Sequence, residues 1–194
     1  MFTLFLSSTA SVPSGAGRAL RHSPNQVRDP FLDDGASPGS VTQLYFDSIG
    51  SLEAAAGQVG APADAEAMQV HRFAVPQPWQ RVPPLYCTYL VAYEGPADDE
   101  PAWLAYYLEH HPPLMAKLPQ IRELEIYTPV DWRSPPPLRS VRHMQRNKVA
   151  FDSTAALAAA LDSPVRREMR ADFASFPSYR GRVTHYAMTT QVVQ

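Results

Sequence analysis

The feature that most constrains the fold of this chain is an internal similarity between its two halves. Phe46-Asp47-Ser48 is followed by Leu52 and an alanine triplet, and Phe151-Asp152-Ser153 is followed by Leu157 and a second alanine triplet. In both places a run of β-forming residues ends at Asp-Ser, a pair whose side chains cap the first turn of a helix. The two segments therefore predict the same strand-to-helix unit at two places in the chain.

Two further matches flank this unit in the same order. Residues 69–74 resemble residues 183–188 after the helix, and residues 2–6 resemble residues 87–91 before the strand. Three matches in one order are typical of a duplicated unit, and a repeat of this length sets the architecture of a chain. The sequence therefore predicts two similar halves.

The second half predicts a complete ferredoxin-like unit in the order βαββαβ. Its predicted elements are a strand at 85–93, a helix at about 101–109, strands at 121–128 and 142–151, a helix from Ser153 that restarts at Ser163-Pro164, and a strand at 183–191. The first half lacks a convincing first helix, because residues 9–40 are rich in Ser, Gly, Pro and Arg. We therefore interpret it as a degenerate copy.

Proline marks the boundary between the halves. Residues 76–84 hold four of the 20 prolines, and proline fixes φ and removes a backbone donor, so we predict a linker there. This gives a degenerate half at 1–75 and a complete ferredoxin-like half at 85–194. Both faces of the strand at 85–93 are apolar, which indicates a strand covered on both sides. The predicted fold is α+β: two fused ferredoxin-like units whose sheets pack face to face as a barrel.

Charge and hydropathy exclude several classes of partner. Seventeen Lys and Arg against nineteen Asp and Glu leave a net charge of −2, so there is no basic excess to bind nucleic acid. No apolar run reaches the roughly 20 residues of a membrane span, and residues 1–6 lack the pattern of a secretory signal. Cys87 is a single cysteine, which excludes an internal disulfide. We expect a cytoplasmic protein without a membrane or nucleic-acid partner.

The stretch richest in chemistry is residues 103–114. On a helix, Trp103, Tyr107 and His111 share one stripe at four-residue spacing, and His110 lies one residue round. Residue 111 precedes a proline, which disfavours the helical region for it, so the helix is predicted to end or kink there. Both imidazoles would then lie at a helix C-terminus, where the helix dipole raises the pKa of a histidine and burial lowers it.

Residues 107–122 read YLEHHPPLMAKLPQIR, which resembles the first-helix motif of the EthD family, a branch of the dimeric α+β barrel superfamily. The motif is an aromatic residue, three residues, His-Gly-Pro-Leu, and then a Leu-Pro-Gly turn. Tyr107 and His111 match its aromatic residue and its histidine, whereas Pro112 and Gln120 stand where the family has glycine. The resemblance covers about residues 85–190, and Ser163-Pro164 and Asp172-Phe173 also match the second helix of the family.

The resemblance implies a barrel that takes a hydrophobic small molecule. Members of the superfamily include isomerases, polyketide cyclases, cofactor-independent oxygenases and haem-associated proteins, so the fold alone does not fix the function. The first hypothesis is a cofactor-independent lyase, isomerase or cyclase that acts on an aromatic or carbonyl metabolite, with His111 as general acid/base. The alternatives are a non-catalytic ligand-binding accessory protein of an oxidative catabolic pathway and a haem-associated oxygenase.

Six residues are predicted to bind the substrate beside His111: Trp103, Tyr107, His110, Tyr89, Tyr127 and His143. Strand tyrosines such as Tyr89 and Tyr127 can line a pocket or belong to the core. His143 can face the cavity from the third strand, although the basic residues around it, which include Lys148, fit a solvated edge equally well. No metal site is predicted, because adjacent histidines rarely chelate one ion. A monomeric barrel and a homodimer are both possible.

Overall fold

The computed structural model describes residues 1–7, 11–25, 27 and 39–193, so part of the segment 9–40 lies outside the described residues. The strands are β1 (Phe2–Leu6), β2 (Arg18–Pro24), β3 (Val41–Phe46), β4 (Ala63–Phe73), β5 (Leu85–Tyr93), β6 (Glu123–Pro129), β7 (Leu138–Ser140), β8 (Gln145–Phe151) and β9 (Val183–Val192). The helices are α1 (Ile49–Ala56), α2 (Glu100–Met115), α3 (Thr154–Leu161) and α4 (Pro164–Phe173).

Eight antiparallel strands close into a barrel. Their order is β1-β3-β2-β9-β5-β8-β6-β4, and β4 pairs back onto β1. The strand β7 lies outside this ring, parallel to the start of β4. The α+β barrel predicted from the sequence is therefore present as one continuous sheet, in which the two halves of the chain join edge to edge through the β2–β9 and β4–β6 pairs.

Side chains on each strand alternate between the barrel interior and the outer face, where the helices pack. On β5, Thr88 and Leu90 point inward, whereas Tyr89 and Val91 join the core beneath the helices. Both sets are buried, which confirms the prediction of a strand covered on two sides. The molecule therefore has two separate buried regions, one inside the barrel and one between the barrel and its helices.

The helices that the internal similarity predicts begin where it places them. Ser48 caps α1 by accepting from the amide of Ser51, and Ser153 caps α3 by accepting from the amide of Ala156. A new helix starts at Pro164 after Ser163, as the Ser-Pro pair predicts. Capping depends on neighbours in the chain, which is why the sequence places these helix starts correctly.

The predicted end of α2 is wrong, because the helix continues through Pro112 and Pro113 to Met115. The two prolines remove the N–H groups that would bond the carbonyls of residues 108 and 109, which are half-buried and exposed. The Pro112 carbonyl still accepts from the amide of Ala116 at 2.9 Å. Burial of His111 and Met115 on the same stripe stabilises the helix beyond the position where proline alone would end it.

The outer face of the first half has a mixed cover. Among the described helices α1 packs there, and beside it lie Val130, Trp132 and Leu138 from the segment that follows β6. The backbone N–H of Arg133 in this segment donates to Glu53 of α1 at 2.7 Å. A part of the second half therefore covers the sheet of the first.

The segment predicted to be a linker, residues 76–84, contains no helix or strand. It is tied to the barrel by Trp79, whose ring contacts Tyr86 and whose Nε1 donates to Asp152 at 2.5 Å. Across the described part of the chain, every helix is too short or too polar to cross a membrane.

Candidate functional site

A cavity lies outside the barrel, between the sheet and the helices of the second half. Its free volume is about 40 Å³. Most of its wall is apolar: Tyr89, Val91, Tyr93, Met115, Leu118, Val149, Phe151, Leu157, Ala160, Leu161 and Met169. Two imidazoles, one amide and one guanidinium group complete it, those of His111, His185, Asn147 and Arg166. Aliphatic side chains outnumber aromatic ones, because α3 contributes alanine and leucine.

His111 is held in one orientation by a carboxylate. Its side chain is on the buried stripe of α2, and the residue is 6% exposed. Its Nδ1 lies 2.7 Å from Oδ2 of Asp172 on α4. Because an ionised carboxylate only accepts, Nδ1 carries the proton and donates it, which leaves the lone pair on Nε2. No described residue bonds Nε2, so this nitrogen can react with a ligand.

Burial lowers the pKa of His111 below its ordinary value of 6.5. The carboxylate of Asp172 raises this pKa, and electrostatic interactions with Arg166 and His185 lower it. The effect of burial therefore outweighs that of Asp172, and the pKa of His111 is lowered overall. At neutral pH the imidazole is uncharged, and a neutral imidazole with a free Nε2 lone pair is a general base.

Two aromatic residues of α2 form a row of ring contacts that ends at His111. The ring of Tyr107 lies 5.1 Å from the imidazole, and Trp103 stacks on Tyr107 at 5.2 Å with an interplanar angle of 15°. Both are fully buried and lie outside the cavity wall. The structure therefore brings Trp103, Tyr107 and His111 together as predicted, but the two aromatic residues position the imidazole and do not line the cavity.

Asn147 supplies a polar group that has no partner among the described residues. Its Nδ2 donates to the Tyr107 hydroxyl at 2.8 Å, whereas its buried Oδ1 has no hydrogen bond. Buried polar atoms are nearly always bonded, so an orphaned acceptor at the wall of a cavity indicates a place for a donor on a ligand. The cavity therefore combines the His111 imidazole, the unused acceptor of Asn147 and the side chains of Arg166 and His185 with a largely apolar wall.

The other predicted site residues divide into those inside and those outside this cavity. Tyr89 lines it and contacts the ring of His185 at 5.8 Å. His110 lies outside it, half-buried against Tyr106 at 4.2 Å. His143 precedes β8 and contacts Glu66 at 3.0 Å, also outside the cavity.

Tyr127 lies inside the barrel, away from His111. The odd-numbered residues of β6 point inward, so Tyr127 faces the interior, where its hydroxyl donates to Glu125 at 2.7 Å. The interior also contains Lys148, which is 0% exposed and lies 2.9 Å from Glu125. The prediction of a solvated edge around Lys148 is therefore wrong. We call Glu123, Glu125, Lys148, Tyr45 and Tyr127 the interior cluster.

Within the interior cluster, Glu125 and Lys148 form a buried ion pair at 2.9 Å. Burial alone would raise the pKa of Glu125, but the Lys148 ammonium and the hydroxyls of Tyr45 and Tyr127 bring it well below its ordinary value. The two carboxylates in turn raise the pKa of Lys148 in spite of its burial. Lys148 donates to Tyr45 at 2.7 Å, and Tyr45 donates to Glu125 at 2.5 Å. Glu125 and Lys148 are cross-strand partners, a signal visible only once the register of β6 and β8 is known.

Sequence reasoning missed the roles of Asp172, Arg166 and Asn147. Arg166, Met169 and Asp172 follow one another at three-residue spacing on α4, a spacing that places them on one helical face. That pattern could have indicated a polar face toward the core. Nothing local indicates that this face meets His111. In the described parts of the chain, no three His, Cys, Asp or Glu side chains lie close enough to hold a metal ion.

No family model and no curated protein matches the sequence. Solved structures do match it. An anthrone oxidase-like protein is 15% identical, covers 98% of this chain and 92% of its own, and superposes with a TM-score of 0.60. A putative monooxygenase from Lactobacillus acidophilus is 10% identical, covers 97% and 92%, and has a TM-score of 0.50.

An EthD family protein from Bacillus halodurans is 18% identical and matches 51% of this chain and 96% of its own, with a TM-score of 0.40. At these identities the two matches that span nearly the whole chain show a shared fold. The chain therefore has the α+β barrel fold of the anthrone oxidase-like and monooxygenase-like proteins.

Proposed function

We propose that this protein is an enzyme that moves a proton on a hydrophobic small molecule, with His111 as the general acid/base. The observation that carries the proposal is the His111–Asp172 pair at the wall of a largely apolar cavity. The reaction class is that of a cofactor-independent lyase, isomerase or cyclase, and the substrate class is an aromatic or carbonyl metabolite. The neutral imidazole, fixed by a carboxylate, is the arrangement that such chemistry needs.

The proposed step is a proton transfer from carbon. Nε2 of His111 takes a proton from a carbon beside a carbonyl group, and the electrons of the C–H bond move into the carbonyl to form an enolate. Asp172 stabilises the resulting imidazolium, and Arg166, which lies at the same cavity, places a positive charge near the enolate. His111 then returns the proton to a different carbon or oxygen, so the imidazole ends as it began.

The size of the cavity bears on the ligand. Pockets for metabolites usually measure about 300–1,000 Å³, far above the 40 Å³ here. Met115 and Met169 form part of the wall, and methionine readily changes rotamer, so we infer that a ligand enlarges the cavity by displacing them. Haem does not fit this space, so the haem-associated alternative has no support in the geometry and no step is derived through it.

We further infer that residues 1–75 and 85–194 are fused ferredoxin-like units, the first one degenerate. The strand order supports this, because β4-β1-β3-β2 in the first half corresponds to β9-β5-β8-β6 in the second. The relation to the EthD family is supported by Gln120, which adopts φ 60° where the family has glycine. One chain supplies all eight strands, so a monomer is the smallest unit that this fold allows.

A second candidate is a non-catalytic carrier. The orphaned Oδ1 of Asn147 favours it, since this atom can bind the hydroxyl or amine of a ligand without any turnover. The two candidates share the cavity and differ only in whether Nε2 of His111 takes a proton.

An exchange assay separates them. The probe is 2-tetralone, an aromatic ketone with acidic protons beside its carbonyl, incubated with the full chain in D₂O and followed by proton NMR. We expect the wild type to accelerate deuterium uptake and His111→Gln to lose about 10²-fold or more of that rate. The melting temperature should change little, because glutamine can still bond Asp172.

The matched control is His110→Gln, which changes the neighbouring histidine outside the cavity and should keep the wild-type exchange rate. Saturable binding of 2-tetralone without exchange that depends on His111 would assign the carrier role instead. Absence of both binding and exchange would contradict a role for the cavity with aromatic ketones.

A further inference from the structure

A second and larger cavity opens at one mouth of the barrel. It measures about 520 Å³ and is lined by the first half of the chain, with Arg18, Tyr45 and Arg72 in its wall. These residues come from β2, β3 and β4, and none of them lines the cavity beside His111. The two cavities therefore share no wall residue, and a function of one does not follow from the other.

The two guanidinium groups of the mouth are hydrogen-bonded to carboxylates of the interior cluster. Arg18 donates Nη1 and Nη2 to the two oxygens of Glu123 at 2.9 and 3.3 Å. Arg72 donates Nε to Glu125 at 2.9 Å, and its side chain is 57% exposed. Among the described residues, none accepts from the terminal nitrogens of Arg72. Those N–H groups are therefore available to a ligand in the cavity.

The interior cluster fixes the carboxylates to which these arginines donate. Lys148 lies 3.2 Å from Glu123 and 2.9 Å from Glu125, so both carboxylates beneath the arginines are held by one buried ammonium. Buried ion pairs usually add little to stability compared with apolar residues of similar size. Holding two guanidinium groups in place is a use that apolar residues could not serve, and such preorganisation lowers the cost of binding.

The hydrogen-bond donors and the shape of the mouth favour an anion. Arg18 and Arg72 place two guanidinium groups in the cavity wall, whereas the carboxylates of Glu123 and Glu125 lie beneath them and are bonded to Lys148. Asp47 is the one acidic side chain among the described residues of the cavity wall. Two glycines leave space: a Cβ at residue 15 would meet nothing within 4 Å, and one at residue 17 would meet only the Tyr45 carbonyl at 3.9 Å.

We propose that this mouth is a binding site for a small organic oxyanion, a carboxylate or a phosphate monoester, held by Arg72 and Arg18. Guanidinium groups bind both anions through paired, charge-assisted hydrogen bonds. The site is distinct from the cavity beside His111 in position and in chemistry, because it is cationic and open where the other is apolar and nearly closed.

Calorimetric titration of the full chain with benzoate and, separately, with inorganic phosphate tests this proposal at low ionic strength. We expect saturable binding of at least one of the two, with a Kd of about 1 mM or below. Arg72→Gln should weaken it about tenfold or more, since charge-assisted hydrogen bonds are lost. The matched control is Arg139→Gln, an exposed arginine paired with Asp64 outside the mouth, which should bind as the wild type does.

A second variant leaves the cluster intact. Gly17→Asp adds a negative charge at the wall and keeps the amide that donates to the Tyr45 carbonyl at 2.9 Å, so it should also weaken binding about tenfold. His111→Gln should leave the affinity unchanged. The relative affinities for benzoate and phosphate identify the preferred oxyanion. Wild-type affinity in both mouth variants, or no saturable binding of either anion below about 10 mM, would overturn the proposal.

Discussion

The two faces of β8 carry opposite kinds of polar chemistry. Toward the helices, Gln145 and Asn147 each leave a buried oxygen that bonds no residue in the described part of the chain. Toward the barrel interior, Lys148 bonds a tyrosine and two carboxylates. Alternate residues of one strand therefore separate a face with unused hydrogen-bonding groups from a face whose charges are mutually paired. Unused groups are available to a ligand, whereas paired groups hold other groups in place.

The largest expected effect is a loss of stability when the charge of Lys148 is removed from the barrel interior. Lys148→Met should destabilise the protein by about 3–5 kcal/mol, because it leaves two buried or half-buried carboxylates without their ammonium. Urea unfolding followed by circular dichroism measures the loss. Lys117→Met is the matched control, since it makes the same change at an exposed lysine and should shift the free energy of unfolding by no more than about 0.5 kcal/mol. If the two variants lowered the free energy of unfolding equally, the charges in the barrel interior would not be paired as described.

Between the sheet and the helices, Asp172→Asn should change chemistry more than stability. The Asp172 carboxylate raises the pKa of His111, so its removal should move that pKa further down in an NMR titration of the imidazole. The His111-dependent exchange rate should fall about 10- to 100-fold, because the ring loses its fixed orientation. Asp162→Asn, at an exposed helix end, should change neither quantity. An unchanged His111 titration in Asp172→Asn would show that the pair does not exist in solution.

The smallest expected effect is a pH dependence from the barrel interior. Burial, with the charge of Lys148, lowers the pKa of His22 from 6.5 to about 3. The unfolded chain therefore binds this proton first, and stability should fall as the pH drops from about 6.5 toward 3. The slope is about 1.4 kcal/mol per pH unit, or about 2 kcal/mol by pH 5.

His22→Gln should flatten that part of the stability profile, because glutamine can replace the bonds to Thr190 and Gln43 without titrating. His110→Gln should leave the profile as it is. Urea unfolding at several pH values between 5 and 7 gives the comparison, and a wild-type slope in His22→Gln would assign the pH dependence to other groups.

Features that depend on neighbours in the chain were predictable from the sequence. The caps at Ser48 and Ser153 mark the true starts of α1 and α3, and the four-residue spacing of Tyr107 and His111 places both on the buried stripe of α2. The end of α2 was not predictable, because the local preference of proline yields there to the burial of Met115.

Features that depend on which strands and helices meet were not predictable. Asp172 is 61 residues from His111 along the chain, and no local pattern joins them. Alternation along β6 shows that Tyr127 and Leu124 face opposite sides, but only the closure of the barrel decides which side is inside. Apart from Tyr89, the cavity residues from the sheet and from α4 were missed for the same reason.

The cover that Trp132 and Leu138 give to the first half also bears on the order of folding. Synthesis proceeds from the N-terminus, so the apolar outer face of β1 and β3 is complete long before the segment that covers it has been made. Domains usually fold as units as the chain emerges, but here the early half depends on later residues. The first 75 residues should therefore not fold alone, and the chain should unfold as a single cooperative unit.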